Sequence, residues 1–223
     1  MKHDSFNEST EMYLKTVSEL ANGDSLVPIS ALAERMGVST VSATEMVHRL
    51  CDQGLLDHMP YRGVLLTVEG RRRACLVIRR HRLWERFLSD RLQLPWPRVH
   101  DVACQLEHVT EDDATEALAV YLGHPATCPH GNPIPGPRGE LAPTCDTPLS
   151  DWAPGDCGTI TRVHPESTLL LDYLASRQIF PGQAVAFTEI APFNGPLMME
   201  IGGQPQALGR EVAAHIYGKR HDA

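Results

Sequence analysis

The sequence predicts a mainly α-helical chain with α+β character, in which a winged helix-turn-helix precedes a helical domain and a small β-barrel. Three patterns lead to this fold class. Between residues 5 and 75, two helical segments around a short glycine-containing turn precede two short apolar stretches. Residues 70–125 carry apolar side chains at helical spacing. After residue 150, short apolar runs bounded by glycine or proline indicate a barrel.

The first segment contains the expected helix-turn-helix. A helix is expected to begin at Ser5, which opens a capping box, and to stop at Asn22–Asp24. A second helix should cover Ile29–Met36. Ser39 is expected to cap a third helix over Val41–Gln53.

The wing and the middle helices follow directly. Five apolar residues suit two short strands joined by a turn at Pro60–Gly63: Leu55, Leu56, Met59, Val64 and Leu66. Helices are then expected over Arg71–Leu92 and Arg98–Val109, and from Thr110 through Leu122.

The last part of the chain differs in character. Residues 123–150 are rich in proline and glycine, which predicts an ordered loop and then a linker. The runs GTITRV, LLLDYL, AVAFTEI and LMMEI are expected to form strands of the small barrel. ALGREVAAHIYG should add a turn of helix and a last strand.

Composition limits the class of protein. With 223 residues and 42% hydrophobic side chains, the chain can form one large domain or two to three small ones. We find no apolar run of about 18 residues and no signal-peptide pattern at the start. A cytoplasmic protein without a membrane segment is therefore expected. The six cysteines form no Cys-x-x-Cys pair, so reduced thiols are expected.

The net charge of −8 is unevenly distributed. Residues 1–91 contain 13 of the 20 lysine and arginine side chains, with arginines concentrated at 71–73, 79, 80, 82, 86 and 91. Two interpretations stay open for this cluster: a basic patch that binds a polyanion, or a solvated helix face.

Two groups of side chains could bind a metal. His81 and Glu85 are four residues apart and would share one helix face. The second group falls on one predicted helical stripe: His100, Cys104, Glu107 and His108. Imidazole, thiolate and carboxylate together suit a first-row divalent metal, although a solvated or structural face is the alternative.

Three other residues are weaker ligand candidates, and catalytic motifs are absent from the sequence. Cys128 and His130 could form a ligand pair, but a proline-rich loop often holds such residues by chance. Met12 on its own is better explained as a core residue. The sequence has no Gly-rich phosphate loop, no G-x-S-x-G and no H-E-x-x-H, so we expect no enzyme.

Six stretches of the sequence are specific in their residues, order and spacing: TEMYL (10–14), VSTVSATEMVHRL (38–50), GLLDHMPYRGVLLTVEGRR (54–72), RRHRLWERFL (79–88), VHDVACQLEHV (99–109) and HGNPIPG (130–136). Together they resemble the diphtheria-toxin-repressor (DtxR) family of metal-dependent regulators over nearly the whole chain. The last part of the chain looks like the SH3-like, FeoA-type domain of long family members.

The resemblance implies two adjacent metal sites per subunit. The ancillary site would use His81, Glu85 and His100. The primary site would use Met12, Cys104, Glu107 and His108. Glu166 is a candidate donor from the third domain, while Leu170 falls where a second polar donor would be wanted. The manganese-specific branch has carboxylates where this chain has Met12, Lys15 and Cys104, so iron(II) is favoured over manganese(II).

The resemblance also implies a homodimer that binds near-palindromic double-stranded operator DNA and takes no small-molecule substrate. Five residues of the reading helix should face the major groove: Ser39, Thr40, Ser42, Thr44 and Glu45. Arg62 in the wing and Arg71 should contact phosphates.

The implied function is metal-dependent repression of metal-homeostasis genes. The expected domains are 1–74 for DNA binding, 75–140 for dimerisation and metal binding, 141–150 as a linker and 151–223 as the SH3-like domain. Two alternatives stay open: a metal-independent winged-helix regulator that senses a small molecule or redox state, and a metal-dependent enzyme or metal carrier.

Overall fold

The computed structural model of the protein describes residues 8–21 and 25–221. These residues divide into two compact units. The first unit comprises the described residues of Met1–His81 together with Leu106–Asp112 and Pro135–Leu141. The second comprises Arg82–Gln105, Asp113–Ile134 and the described residues of Ala142–Ala223. Within the described ranges, no helix is long and apolar enough to cross a membrane.

Three helices open the first unit: α1 (Glu8–Leu20), α2 (Ile29–Met36) and α3 (Thr40–Asp52). Gly37 ends α2 in the left-handed conformation, with φ 66°. The Ser39 hydroxyl caps α3 by accepting a hydrogen bond from the Ser42 backbone N–H at 3.1 Å. The expected helix-turn-helix is confirmed. The expected start at Ser5 and stop at Asn22–Asp24 lie outside the described residues.

The apolar faces of these three helices meet in one core. Its most buried members are Leu14, Val17, Leu32, Val47 and Leu50, each no more than 1% exposed. Burying a side chain of this size contributes roughly 1.5–3 kcal/mol. Helices of 8 to 13 residues are marginal in isolation, so this core supplies most of their stability.

A two-stranded hairpin, the expected wing, follows α3. Strands β1 (Leu56–Met59) and β2 (Gly63–Leu66) pair antiparallel. Gly63 has φ +129°, and a Cβ at this position would lie 2.3 Å from the Val27 carbonyl oxygen. Glycine is therefore required where the hairpin approaches the segment before α2.

The long helix α4 (Val68–Asp90) begins three residues earlier than the expected Arg71. The reason is Thr67, whose hydroxyl accepts a hydrogen bond from the Gly70 backbone N–H at 3.0 Å and so caps the first turn. Gly70 does not stop the helix. A Cβ there would lie 2.0 Å from the Leu55 carbonyl oxygen, so this glycine permits close approach of two backbone segments.

Helix α5 (Arg98–Leu106) ends before the expected Val109. The Thr110 hydroxyl donates to the Leu106 carbonyl at 2.7 Å, and the Arg80 guanidinium donates to the Glu107 carbonyl at 2.6 Å. The prediction that Glu107 and His108 continue a helical stripe is therefore wrong, because both lie in the turn after α5. Helix α6 (Asp112–Tyr121) lies close to its expected range.

The arginines at the middle of α4 do not form an exposed basic patch, nor a solvated face. Arg79, Arg80 and Arg82 are each less than 9% exposed. Each donates to a backbone carbonyl: Arg79 to Pro135 at 2.8 Å within the first unit, and Arg82 to Pro133 at 2.6 Å within the second. Both interpretations of the arginine cluster are wrong for these three residues.

The second unit contains a six-stranded antiparallel sheet in the order β3-β8-β4-β5-β6-β7. Its strands are β3 (Thr147–Pro148), β4 (Cys157–Val163), β5 (Ala184–Ile190), β6 (Leu197–Ile201), β7 (Gln204–Leu208) and β8 (Ile216–Arg220). A short helix, α8 (Arg210–Ala213), precedes β8 as expected. In the described part of the chain no pairing joins β3 to β7, so the expected barrel is an open sheet.

Two local expectations about this sheet are wrong. The run LLLDYL forms a helix, α7 (Thr168–Ser176), instead of a strand. Ser167 caps it, and Leu170, Leu171 and Leu174 are buried at helical spacing in the sheet domain's core. In addition, Thr147 already pairs with Gly218 of β8, so the sheet begins inside the expected linker.

Candidate metal centres and nucleic-acid interface

A cluster of charged side chains in the first unit surrounds Glu107, which is fully buried. Lys15 Nζ donates to both carboxylate oxygens, at 2.9 Å and 2.7 Å. His81 Nδ1 lies 2.5 Å from Oε2, and His108 Nε2 lies 3.2 Å from Oε1. We call the Glu107 cluster the set of Glu107, Lys15, His81, His108 and Glu11.

Glu11 on α1 extends the cluster. One of its carboxylate oxygens accepts from Arg80 at 2.5 Å, and the other lies 2.7 Å from His108 Nδ1. Helix α1 therefore contributes two side chains, Glu11 and Lys15, to a buried network. The predicted ligand Met12 follows Glu11 on the same helix and is half-buried.

Electrostatics in the Glu107 cluster favour the charged forms. Burial raises the pKa of Glu107, but hydrogen bonds from His108 and His81 and the charge of Lys15 outweigh it and hold that pKa well below its usual range. Burial lowers the pKa of His108, but hydrogen bonds to Glu107 and Glu11 outweigh it and raise that pKa to about 9. These shifts favour the carboxylate form of Glu107 and the imidazolium form of His108.

A second cluster lies within the second unit. Four buried side chains from distant parts of the sequence each place one ligand-type atom within 4.8 Å of the others: Glu85, Cys128, His130 and Glu166. We call this set the Glu85 cluster. His130 Nδ1 lies 3.0 Å from a Glu85 oxygen and 4.0 Å from Cys128 Sγ.

The loop that carries Cys128 and His130 is fixed from two sides. His130 Nε2 lies 3.2 Å from the Trp96 carbonyl oxygen, and the two rings are 4.9 Å apart. Asn132 donates to Glu166 at 2.6 Å and to the Val163 carbonyl at 2.7 Å. These neighbours hold His130 and Glu166 in place around the cluster.

The donor set of the Glu85 cluster fits a divalent transition metal. Burial and the Glu85 carboxylate raise the pKa of the Cys128 thiol. Burial lowers the pKa of His130, but the same carboxylate outweighs it and raises that pKa well above its ordinary value. Two carboxylates, a thiol and an imidazole in a dry interior are the ligand types that iron, zinc and manganese accept.

Two predicted ligands on α5 lie near this cluster. His100 Nδ1 is 3.4 Å from a Glu85 oxygen, and Cys104 Sγ is 3.9 Å from His100 Nε2. Glu85 therefore has the imidazoles of both His100 and His130 within 3.4 Å.

The start of α3 presents polar side chains to solvent. Ser39 and Ser42 share a hydrogen bond at 2.9 Å, and the Thr44 hydroxyl donates to the Thr40 carbonyl at 2.7 Å. These hydroxyls therefore have local partners, while Glu45 is exposed. Val41, beside them on α3, is 69% exposed.

Comparison with known proteins decides the family. The model for the N-terminal DNA binding domain of iron dependent repressors matches residues 5–64. The model for their metal binding and dimerisation domain matches residues 67–136, and the FeoA domain matches residues 147–220. A solved manganese-dependent transcriptional repressor in complex with manganese is 34% identical, with a TM-score of 0.86, and the match covers 95% of this chain and 100% of that chain. The chain belongs to the DtxR family of metal-dependent transcriptional regulators.

Curated DtxR-family relatives match just over half of the chain. The iron-dependent repressor IdeR of Mycobacterium leprae is 42% identical over 130 residues, which are 58% of this chain and 56% of that protein. The diphtheria toxin repressor of Corynebacterium jeikeium is also 42% identical over 130 residues, or 58% of this chain and 54% of that protein. These matches therefore span just over half the length of the curated relatives.

For this DtxR-family chain, the structure groups the predicted ligands within each unit. Glu107, His108 and His81 meet in the first unit. In the second unit, Glu166 lies in the same cluster as Glu85. The resemblance assigns Glu85 to the ancillary site and makes Glu166 a candidate donor. Leu170 lies in the core and offers no ligand atom.

Two members of the DtxR-family chain's Glu85 cluster, Cys128 and His130, have only weak support from the sequence. In the structure, His130 directly precedes Gly131, which has φ +86° and where a Cβ would lie 2.0 Å from the Thr161 carbonyl oxygen. A glycine at such a close approach marks a loop with a fixed path. The sequence could not show that this path leads to Glu85.

Proposed function

We propose that this chain is a metal-dependent DNA-binding transcriptional repressor of metal-homeostasis genes, activated by iron(II) or manganese(II), and not an enzyme. The observation that carries the proposal is the position of the Glu107 cluster. It is built on α1, the helix that precedes the helix-turn-helix of α2 and α3, through Glu11 and Lys15. A change in what Glu107 binds must therefore change how α1 is held.

Two metal centres per chain are proposed. The first uses Glu107 and His108 with Met12 and Cys104, which the family resemblance assigns. The second uses Glu85, Cys128, His130 and Glu166, supported by their convergence within 4.8 Å. The resemblance assigns His81 and His100, together with Glu85, to the ancillary site. When bound, the metal supplies a divalent charge and directional bonds that hold side chains of different elements together.

The choice of metal follows from donor chemistry and from relatives. Thiolate and thioether sulfur favour iron(II) over manganese(II). The curated relative is named an iron-dependent repressor, whereas the matched structure is named manganese-dependent. Iron(II) is the first candidate and manganese(II) the second.

Metal acts by shifting a population. In the metal-free chain, α1 is held by ion pairs of Glu11 and Lys15, while metal bonds to Glu107 and His108 would hold the same region differently. The state with metal is proposed to fix α3 in the position that binds DNA, so metal and DNA stabilise each other.

Metal uptake should release a proton from His108. The imidazole can bind metal only when neutral, and its pKa in the metal-free chain is about 9, so manganese(II) affinity should rise between pH 7 and 9. The same raised pKa stabilises the metal-free fold below pH 6.5, and this contribution is lost as pH rises through about 9. Calorimetry in buffers of different ionisation enthalpy counts the protons. Equal release by wild type and His108→Gln would contradict the assignment.

The DNA partner is proposed to be a near-palindromic double-stranded operator bound by a homodimer. The reading surface is the exposed start of α3, and it comprises Ser39, Thr40, Ser42, Thr44 and Glu45. Arg62 in the wing and Arg71 on α4 are exposed and are proposed to contact phosphates. The domain boundaries and a cytoplasmic location stay predictions.

Val41 should contribute to DNA affinity. It is 69% exposed beside these polar residues, and an apolar side chain in the major groove can contact a thymine methyl group. Val41→Ala is expected to weaken operator binding about fivefold, or ~1 kcal/mol, and to leave thermal stability unchanged. Phe193→Ala, at an exposed position in the second unit, is the control. Equal affinities of the two variants would contradict this contact.

Selection from a random DNA pool tests the proposal without assuming an operator. The purified protein is incubated anaerobically with the pool, once with manganese(II) and once with a chelator. Enrichment of near-palindromic sequences with metal alone is the expected result. Equal enrichment in both samples would refute metal dependence, and enrichment in neither would refute specific DNA binding.

A further inference from the structure

Lys15 occupies an unusual position for a lysine. The sequence contains three lysines, and Lys15 is 5% exposed within α1. Lysine side chains are almost never buried unless their charge is paired. The buried ammonium group of Lys15 is therefore expected to have charged partners.

The ammonium group lies where a metal would meet Glu107. Lys15 Nζ is 2.9 Å from Glu107 Oε1, 2.7 Å from Oε2 and 3.1 Å from His81 Nδ1. It thus binds both oxygens of the carboxylate proposed as a metal ligand, together with a neighbouring imidazole. A histidine nitrogen also contacts each oxygen, His81 Nδ1 at 2.5 Å from Oε2 and His108 Nε2 at 3.2 Å from Oε1. Because a carboxylate oxygen offers about two lone pairs, a metal ion that bonds to Glu107 competes with the ammonium group for them.

We infer that Lys15 is a built-in competitor of the metal, a residue that sets how much free metal is needed to fill the Glu107 centre. This inference rests on the proposed function, since it assumes that Glu107 binds metal. In the metal-free chain Lys15 neutralises Glu107 and keeps α1 in contact with the turn after α5. When metal binds Glu107, α1 loses the contact between Lys15 and Glu107.

Two consequences separate this role from a purely structural one. Removing the ammonium group leaves Glu107 available, so metal should bind more tightly. The same change removes a buried charge partner, so the metal-free fold should be less stable. A lysine that only supports the fold would lower stability without improving metal affinity.

The test compares three variants of the full-length chain with wild type, using manganese(II) alone and no DNA. Lys15→Met keeps the length of the side chain without its charge, and Lys15→Arg keeps the charge. Arg35→Gln is the control, because it removes one positive charge from a partly exposed pair with Glu19 at 3.8 Å. Metal affinity is measured by anaerobic calorimetry, and thermal unfolding is measured in chelator.

Lys15→Met is expected to bind manganese(II) about tenfold more tightly, as when a competing state is removed, and to unfold at a lower temperature without metal. Lys15→Arg and Arg35→Gln should bind metal like wild type. Affinity in Lys15→Met equal to or weaker than that of wild type would overturn the inference while leaving the proposed function intact. Absence of manganese(II) binding in both wild type and Lys15→Met would overturn both.

Discussion

Glu107→Gln should abolish metal-dependent DNA binding and lower the free energy of unfolding of the metal-free chain by about 3 to 5 kcal/mol. Glu107 is fully buried, and its carboxylate is the common partner of Lys15, His81 and His108. A neutral amide leaves these groups without their anion and offers a metal a poor ligand. Urea denaturation in chelator measures the free energy of unfolding, and operator binding with manganese(II) measures the metal response.

The matched control is Glu19→Gln, which removes a carboxylate from α1 whose pair with Arg35 is long, at 3.8 Å. A partly exposed pair of this kind contributes at most about 1 kcal/mol, so this variant should keep both stability and metal response. If Glu107→Gln kept wild-type operator binding with metal, Glu107 would not be part of the switch. If its stability matched that of Glu19→Gln, the buried network would be energetically unimportant.

Cys128→Ser should remove one tightly bound metal ion per chain. The substitution nearly conserves volume but replaces a thiol, which becomes a thiolate ligand on metal binding, with a much weaker donor. Loss of a supporting neighbour of a metal ligand already weakens binding about 10- to 100-fold, so loss of Cys128 should weaken it at least as much. Elemental analysis after anaerobic dialysis against iron(II) gives the number of bound ions.

Cys157→Ser is the control for this experiment, because Cys157 is exposed on β4. It should retain the wild-type number of metal ions. Retention of that number by Cys128→Ser would show that the Glu85 cluster is a structural hydrogen-bonded group without a metal. A loss in both variants would indicate general damage by thiol removal and would equally contradict the assignment.

Local sequence signals predicted the helix-turn-helix well because its boundaries depend on local chemistry. The turn between α2 and α3 is made by Gly37 in the left-handed conformation and by the Ser39 cap. Each signal lies within a few residues of the boundary that it controls. The same holds for β5 and β6, whose apolar runs were located to the residue.

Boundaries set by distant residues could not be predicted. Helix α5 ends where Arg80, which is distant in the sequence, donates a hydrogen bond to the Glu107 carbonyl. The predicted helical stripe therefore does not extend to Glu107 and His108. Three consecutive leucines are compatible with a strand or a helix. They form α7 because Ser167 caps the helix and its leucines pack into the core of the sheet domain. Strand β7 was missed because it lies at the sheet edge, where its polar sequence, QPQAL, is mostly exposed.

The candidate metal centres illustrate the same division. Glu107 and His108 were identified through family motifs, and the structure brings them together with His81. Glu85, Cys128, His130 and Glu166 come from separate segments, so no spacing rule connects them. For Arg79, Arg80 and Arg82 the sequence left open a basic patch or a solvated helix face, but backbone carbonyl groups accept their hydrogen bonds.

Anaerobic fluorescence anisotropy on an operator obtained by the selection described above tests the central claim most directly. The labelled DNA is titrated with protein in chelator, then with iron(II) or manganese(II), and the chelator is finally restored. Tight binding is expected to appear with metal and to disappear when the metal is withdrawn. Tight binding that persists throughout in chelator would contradict the central claim, because the Glu107 and Glu85 clusters would then have no part in controlling DNA binding.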